Sequence, residues 1–406
     1  MGLTLVIVSD LHAGVDHPVP ELRTKETRSP DRLPHSTLRS LREAIAEDLA
    51  GSTPDERVLL CAGDLADTGQ SAEIEKACTF LETLSHELEI PTLGRGLIPG
   101  NHDIDRPLVT IANSHSDGWY LAKRLTKFTE LARTHAPSFV VASEGIPAVL
   151  QVASCQVRIH LLDSPYHDPH DVKPHHGRLG TDQLNRLDQE LQAAPAATHI
   201  VALHHHVGPM PSGADRADFS QLLDADELIA LARNHNVRLI IHGHRHRAKI
   251  DALVDTTEPI TVLGSGSTTI PVARLPYRAM NTYHVVQFES LARGATRGFI
   301  LSRVLNLVDG WQRPKYETHG LEARRPFAPF DDLRDLESWA ADVISTCLLT
   351  RLVKLDVFLR DKGATFVSVY DLAKTVRAQL AIRSDRDQFE FSTNDASGAP
   401  QLQLIT

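Results

Sequence analysis

The sequence predicts an α/β protein: a doubly wound parallel sheet with a second, mixed sheet packed on it, flanked by helices and followed by a smaller, mainly helical C-terminal region. Three observations carry this. From residue 3 to about residue 133, apolar runs alternate with amphipathic helical patterns across short connections, as parallel strands with crossover helices require. After residue 246 the pattern changes to short β-rich runs bounded by Gly, Ser or Pro, the mark of strand following strand. Beyond residue 330 helical spacing returns. At 406 residues and 42% hydrophobic, the chain can bury one large core and a smaller one.

Leu3–Val8 is a continuous β-branched run, suited to a strand buried on both faces, and it stops at Ser9-Asp10-Leu11-His12. The polar, proline-bearing stretch Asp16–Pro34 reads as a loop that could cover a site. Ser36 is placed to cap a helix through Leu49, with Leu38, Leu41, Ile45 and Leu49 at helical spacing. The strand Arg57–Ala62 runs into Gly63-Asp64-Leu65-Ala66-Asp67, and the helix Ser71–Glu87 follows with its apolar stripe. Leu93–Ile98 leads to Gly100-Asn101-His102-Asp103, and a helix is expected over Trp119–Arg133.

A strand pair, Ala148–Ala153 and Gln156–Leu162, leads to Asp163-Ser164-Pro165 and then to a histidine-bearing loop with His167, His170, His175 and His176. Thr181 is expected to cap a helix carrying Leu184, Leu187 and Leu191. The strand His199–Leu203 ends in His204-His205-His206; after a helix over Phe219–Asn234, Arg238–Ile241 ends in His242-Gly243-His244-Arg245-His246. Ile250–Val254, Ile260–Leu263, Tyr283–Phe288 and Gly298–Leu305 are expected to complete the second sheet. The expected domains are residues 1–312, a linker over 313–329, and a mainly helical region over 330–406, with helices at Leu333–Leu348, Leu352–Arg360 and Val367–Ala381.

The formal net charge of −10 and the lack of a basic stripe argue against holding long nucleic acid. The first apolar run is too short for a signal sequence or a membrane span. Cys61, Cys78, Cys155 and Cys347 are scattered without paired spacing, which predicts reduced thiols in a cytoplasmic protein.

A strand ending in a Gly-Asn turn is common by itself, but here five strand ends carry metal-ligand side chains. In open parallel sheets that edge is where loops converge into sites. Asp10, His12, Asp64, Asn101, His204, His244 and His246 together offer carboxylate and amide oxygens and four imidazoles, a set that suits a pair of Mn, Fe or Zn ions better than Mg.

The five blocks occur in the order used by the calcineurin-like metallophosphoesterases, which residues 1–290 resemble. The resemblance implies that Asp10, His12 and His246 bind one metal and that Asn101, His204 and His244 bind the other, with Asp64 bridging. In the triple after the fourth strand end, His204 or His205 is the ligand. Two such ions can activate water and clamp phosphoryl oxygens for in-line attack on a phosphodiester. His102 is then the catalytic group that faces the substrate and assists the leaving alkoxide, with Asp67 holding the other ring nitrogen, and Asn101 also lies within reach of substrate.

The blocks around Leu203–His206 and from Leu162 to Leu184 resemble the bacterial class III cyclic-nucleotide phosphodiesterase branch and point to a small nucleotide substrate. The alternatives are a DNA repair-type nuclease and a scaffold that has lost its metals. Arg245, Arg247 and Lys249 are candidates to touch substrate phosphate; His115, His135, His160, His199, His235, His242 and His284 read as ordinary surface or packed histidines. The C-terminal helices are open to self-association or to a protein partner.

Overall fold

A computed structural model gives the fold and describes every residue except 1, 16, 18, 25–39, 106–124, 153–155, 168–175, 209–219, 254–258, 277, 291–295, 328–334, 365–366, 394–398 and 406. The first strand, β1 (Leu3–Val8), is buried along its whole length and serves two cores. Leu3, Leu5 and Ile7 belong to a layer shared with the second sheet, whereas Val6 and Val8 pack under helices. That double duty is why the run is apolar without alternation.

β2 (Arg57–Cys61), β3 (Arg95–Leu97) and β4 (Val140–Val141) extend this sheet in parallel from one side of β1. The second sheet contains β5 (Ala148–Val152), β6 (Val157–Leu161), β7 (Thr198–Ala202), β8 (Val237–His242), β9 (Ala248–Leu253) and β10 (Ile260–Ser265), in the order β5-β6-β7-β8-β10-β9. Its four central strands are parallel and its two edges antiparallel. On the far side of β1 lie β11 (Thr282–Ser290), β12 (Arg297–Asn306) and β13 (Gly310–Gln312), all antiparallel, with β14 (Arg324–Phe327) also paired to β12.

Helices α1 (Leu41–Asp48), α2 (Ser71–Glu87) and α3 (Thr126–His135) cover the outer face of the first sheet. Helices α4 (Thr181–Gln192) and α5 (Ala225–Asn234) cover the second. The result is four layers, helix-sheet-sheet-helix, with the inter-sheet core at the centre.

Several expectations are corrected. The late strands do not all complete the second sheet: β9 and β10 do, while β11 to β13 extend the first, because β1 has a second edge to pair. Helix α1 is capped by Ser40, whose hydroxyl accepts the Glu43 N–H while Glu43 accepts the Ser40 N–H, not by Ser36, which lies outside the described residues. Gly180 caps α4, and Thr181 is its first helical residue. The expected linker contains β14, whose Phe327 enters the inter-sheet core.

The C-terminal region packs α6 (Leu336–Thr350), α7 (Leu355–Asp361) and α8 (Val369–Ala381) around a core of its own. It also holds a small sheet the sequence reading did not anticipate, β15 (Leu352–Lys354), β16 (Phe389–Thr393) and β17 (Pro400–Leu404), in the order β15-β17-β16. Arg325 of β14 ties it to the larger unit through Glu322 and through Asp371 of α8 at 2.9 Å. Among the described residues no helix is long and apolar enough to cross a membrane, and Cys61, Cys78 and Cys347 are free thiols.

Candidate metal centre

The loops that carry the candidate ligands leave the C-terminal ends of β1, β2 and β3 in one sheet and of β7 and β8 in the other, so the candidate site straddles the sandwich. Main-chain bonds lock the loops together: the Asp10 N–H donates to Gly63 O at 2.9 Å, the His12 N–H to Asp64 O at 3.0 Å, and the Gly243 N–H to His204 O at 3.0 Å. Gly63 has φ +91°, and a Cβ there would stand 2.6 Å from His204 Nδ1. Asp10, His12, Asp64, His244 and His246 all have positive φ, half of the ten such non-glycine residues among those described. Asp and His are among the residue types enriched in this region, and strain of this kind concentrates where side chains are aimed for function.

Two donor sets result. In the first, His12 Nε2 lies 3.0 Å from His246 Nε2 and 3.5 Å from Asp64 Oδ2, and His246 Nε2 lies 3.4 Å from Asp10 Oδ1. In the second, Asn101 Oδ1 lies 3.1 Å from His204 Nε2 and 2.8 Å from His244 Nδ1, with Asp64 Oδ2 3.2 Å from His204 Nε2. The same oxygen, Asp64 Oδ2, therefore faces both sets, and it is buried without a hydrogen-bond partner. Two buried carboxylates, an amide oxygen and four imidazoles crowded in this way fit cations.

Electrostatics reflect the crowding. Burial opposes charge on His204, but the Asp64 and Asp10 carboxylates outweigh it and hold the imidazole up to about 9. Burial pushes His12 down to about 4 against the pull of Asp67 and Asp64, and burial together with His205 and His204 lowers His244. Burial also opposes ionisation of Asp64, yet His204, His102 and His12 keep its carboxyl well below the usual range.

The expected His102–Asp67 pairing takes a different form. His102 Nδ1 lies 2.7 Å from the Asp67 main-chain carbonyl oxygen, not from its carboxylate. The Asp67 carboxylate instead holds Arg274 at 2.6 Å and lies 3.5 Å from His12 Nδ1. The His102 N–H donates to Asp64 Oδ1 at 2.8 Å, and its ring stands edge-on to His12.

Residues that sequence reasoning missed hold the loops in place. Asp103 accepts the Ala66 N–H at 2.9 Å and the Gly100 N–H at 2.8 Å, joining the second and third loops. The stretch after β10 clasps the first: Ser267 Oγ donates to Asp10 O at 2.7 Å and Thr269 Oγ1 to Leu11 O at 2.9 Å. Ser9 Oγ donates to Asp10 Oδ2. Ser164 Oγ accepts the N–H groups of His204 and His205, both at 3.1 Å, and lies 2.9 Å from His205 Nδ1. The signal in sequence was small polar residues at strand ends, too common to single out.

Of the remaining candidates, Arg245 donates to Ser220 and Lys249 pairs with Asp251. His160, His199, His242 and His284 are buried; His115 and residues 168–175, with His170 and His175, lie outside the described residues.

The calcineurin-like phosphoesterase family model matches residues 3–248. A Synechococcus protein described as a probable cyclic nucleotide phosphodiesterase is 30% identical over 63% of this chain and 78% of its own length. The cAMP/cGMP dual specificity phosphodiesterase of Mycobacterium tuberculosis is 30% identical over 48% of this chain, which spans about half of that relative's length. Among solved structures, a Staphylococcus aureus protein described as a putative 5'-nucleotidase superposes with a TM-score of 0.45 at 12% identity, over 73% of this chain and 53% of that one. A match over more than half its length, with the five loops of the candidate centre inside it, means that this chain belongs to the calcineurin-like phosphoesterase family of metal-dependent phosphoric ester hydrolases.

Proposed function

We propose that the chain is a dinuclear phosphodiesterase acting on small, cyclic nucleotides. The observation that carries this is Asp64 Oδ2, one buried oxygen facing two donor sets. Asp10, His12 and His246 would hold one ion, Asn101, His204 and His244 the other, and Asp64 both. When bound, the ions supply Lewis acidity, neutralising the anionic ester and acidifying an attacking water; Mn, Fe and Zn all suit these ligands.

The chain's own groups do the rest. His204 Nδ1 faces the Ala62 carbonyl at 2.9 Å, so that nitrogen keeps its hydrogen and Nε2 is the one that would meet metal, giving up its own proton on binding. His205 is the reverse case. Both lone pairs of Ser164 Oγ are taken by N–H groups, so its hydrogen goes to His205 Nδ1 and the His205 proton sits on Nε2. His204, not His205, is therefore the ligand in this reading. His102 is fixed by the Asp67 carbonyl at one ring nitrogen and offers the other to the leaving oxygen.

The substrate class is supported by the relatives named above and by the acidic balance of the chain. The test is cyclic AMP hydrolysis by Mn-loaded protein, with Asn101→Ala as the control. Hydrolysis lost in the variant is the expected result. Cleavage of an aryl phosphodiester without cyclic AMP turnover would discard this substrate, and steep loss of activity with salt would favour a nucleic-acid substrate.

A further inference from the structure

A cleft far in sequence from the candidate metal ligands lies where β14 and β12 of the first sheet meet the C-terminal helices. It encloses about 770 Å³, within the range of small-molecule sites. Its walls combine aromatic faces with cations. Tyr316 and Tyr370 stack with ring centroids 4.0 Å apart, and the Arg324 guanidinium lies 3.1 Å over the Phe299 ring. Lys315 and Arg360 also line it, and the Arg360 side chain is 74% exposed. Two acids face them. Glu322 is already taken by Arg325 and by the Ser368 hydroxyl, which donates to it at 2.8 Å. Asp356 accepts the Val357 N–H at 2.9 Å. Three cations, Lys315, Arg324 and Arg360, stand against these two acids in the lining, a surplus of one positive charge; Arg360 also pairs at the rim with Asp361 at 3.5 Å.

Flat rings beside guanidinium and ammonium groups recognise a planar aromatic body carrying an anionic group: the rings and the Arg324 plane take the flat face, and the cations take the charge. Phe299 and Arg324 belong to the catalytic sheet and Leu359, Val367 and Tyr370 to the C-terminal region, so a ligand here touches both units at once. We propose that this cleft is a second, non-catalytic site for a planar aromatic anion of mononucleotide size, and that the C-terminal region exists in part to form it.

Calorimetric titration of the full chain, stripped of metal with a chelator, tests this independently of the catalytic reading, using adenosine 5'-monophosphate, adenosine and ribose 5-phosphate as probes. The expected result is saturable binding of the monophosphate, with each fragment at least about tenfold weaker. Lys315→Glu with Arg360→Glu, both exposed positions, should weaken the monophosphate at least about tenfold while circular dichroism stays unchanged, and Tyr316→Ala should do so separately. His102→Ala should leave this binding as it is. No saturable binding to metal-stripped protein, binding untouched by all the cleft variants, or binding lost with His102→Ala would each overturn the proposal. Cyclic AMP turnover can fail with any of these results, so the two readings fall separately.

Discussion

His102 and Asp67 meet through a main-chain carbonyl, and that detail divides their roles. Substituting His102→Ala removes the proton source and should lower turnover by about 10²–10⁴-fold with bound metal, measured by elemental analysis, unchanged; equal loss of both would make His102 a ligand-positioning residue instead. Asp67→Asn keeps the carbonyl that holds His102 but removes the charge beside His12 and Arg274. It should weaken metal binding by roughly 10–100-fold while turnover at saturating metal stays near that of the parent. The converse pattern would restore the carboxylate to His102. The candidate ligand cluster was legible because its members stand within a few residues of the ends of apolar runs. The carboxylate's true partner was not: Arg274 lies 207 residues away from Asp67 in sequence, and nothing local announces it.

The ligand-bearing turns have little room. A Cβ on Gly243 would enter the space of Ser9 Oγ and Asp10 Oδ2, while one on Gly51 would meet nothing within 4 Å. Gly243→Ala should therefore abolish metal binding, read by loss of metal-dependent thermal stabilisation, and Gly51→Ala should be silent. The helices and strands of residues 3–103 were readable because β1, β2 and α2 carry unbroken apolar runs or stripes. β14 was hidden by Pro326 and two arginines, which an edge strand tolerates. The C-terminal sheet was hidden because β15 is three residues long and pairs with β17 some 50 positions on, so its order depends on tertiary contact.

Across the whole molecule, buried neutral histidines set the response to acid. Burial takes His284 down to about 4; its Nε2 lies 3.0 Å from Ser265 O and its Nδ1 3.0 Å from Ser302 Oγ, a neutral ring with both nitrogens engaged. Burial and the neighbouring His199 take His160 down to about 3. Both folded values lie below the unfolded 6.5, so the unfolded chain binds more protons between pH 6.5 and about 4. Stability is fully present above pH 6.5 and falls as pH drops through that window, by on the order of 3 kcal/mol for His284. Urea denaturation across this range should show a shallower decline for His284→Gln than for the parent; identical slopes would remove His284 from the account.

Three of the five candidate ligand loops hang from the first sheet and two from the second, and between the sheets lies a core of aliphatic and aromatic side chains. Ions seated between them would act as a cross-brace on the open end of the sandwich. Chelation should then be felt as loosening: faster amide exchange in the loops after β7 and β8 as well as after β1 and β2, and a melting temperature that climbs with metal concentration. In such a protein the supply of metal governs how firmly the two halves are clamped, and starvation for it is a folding problem before it is a catalytic one.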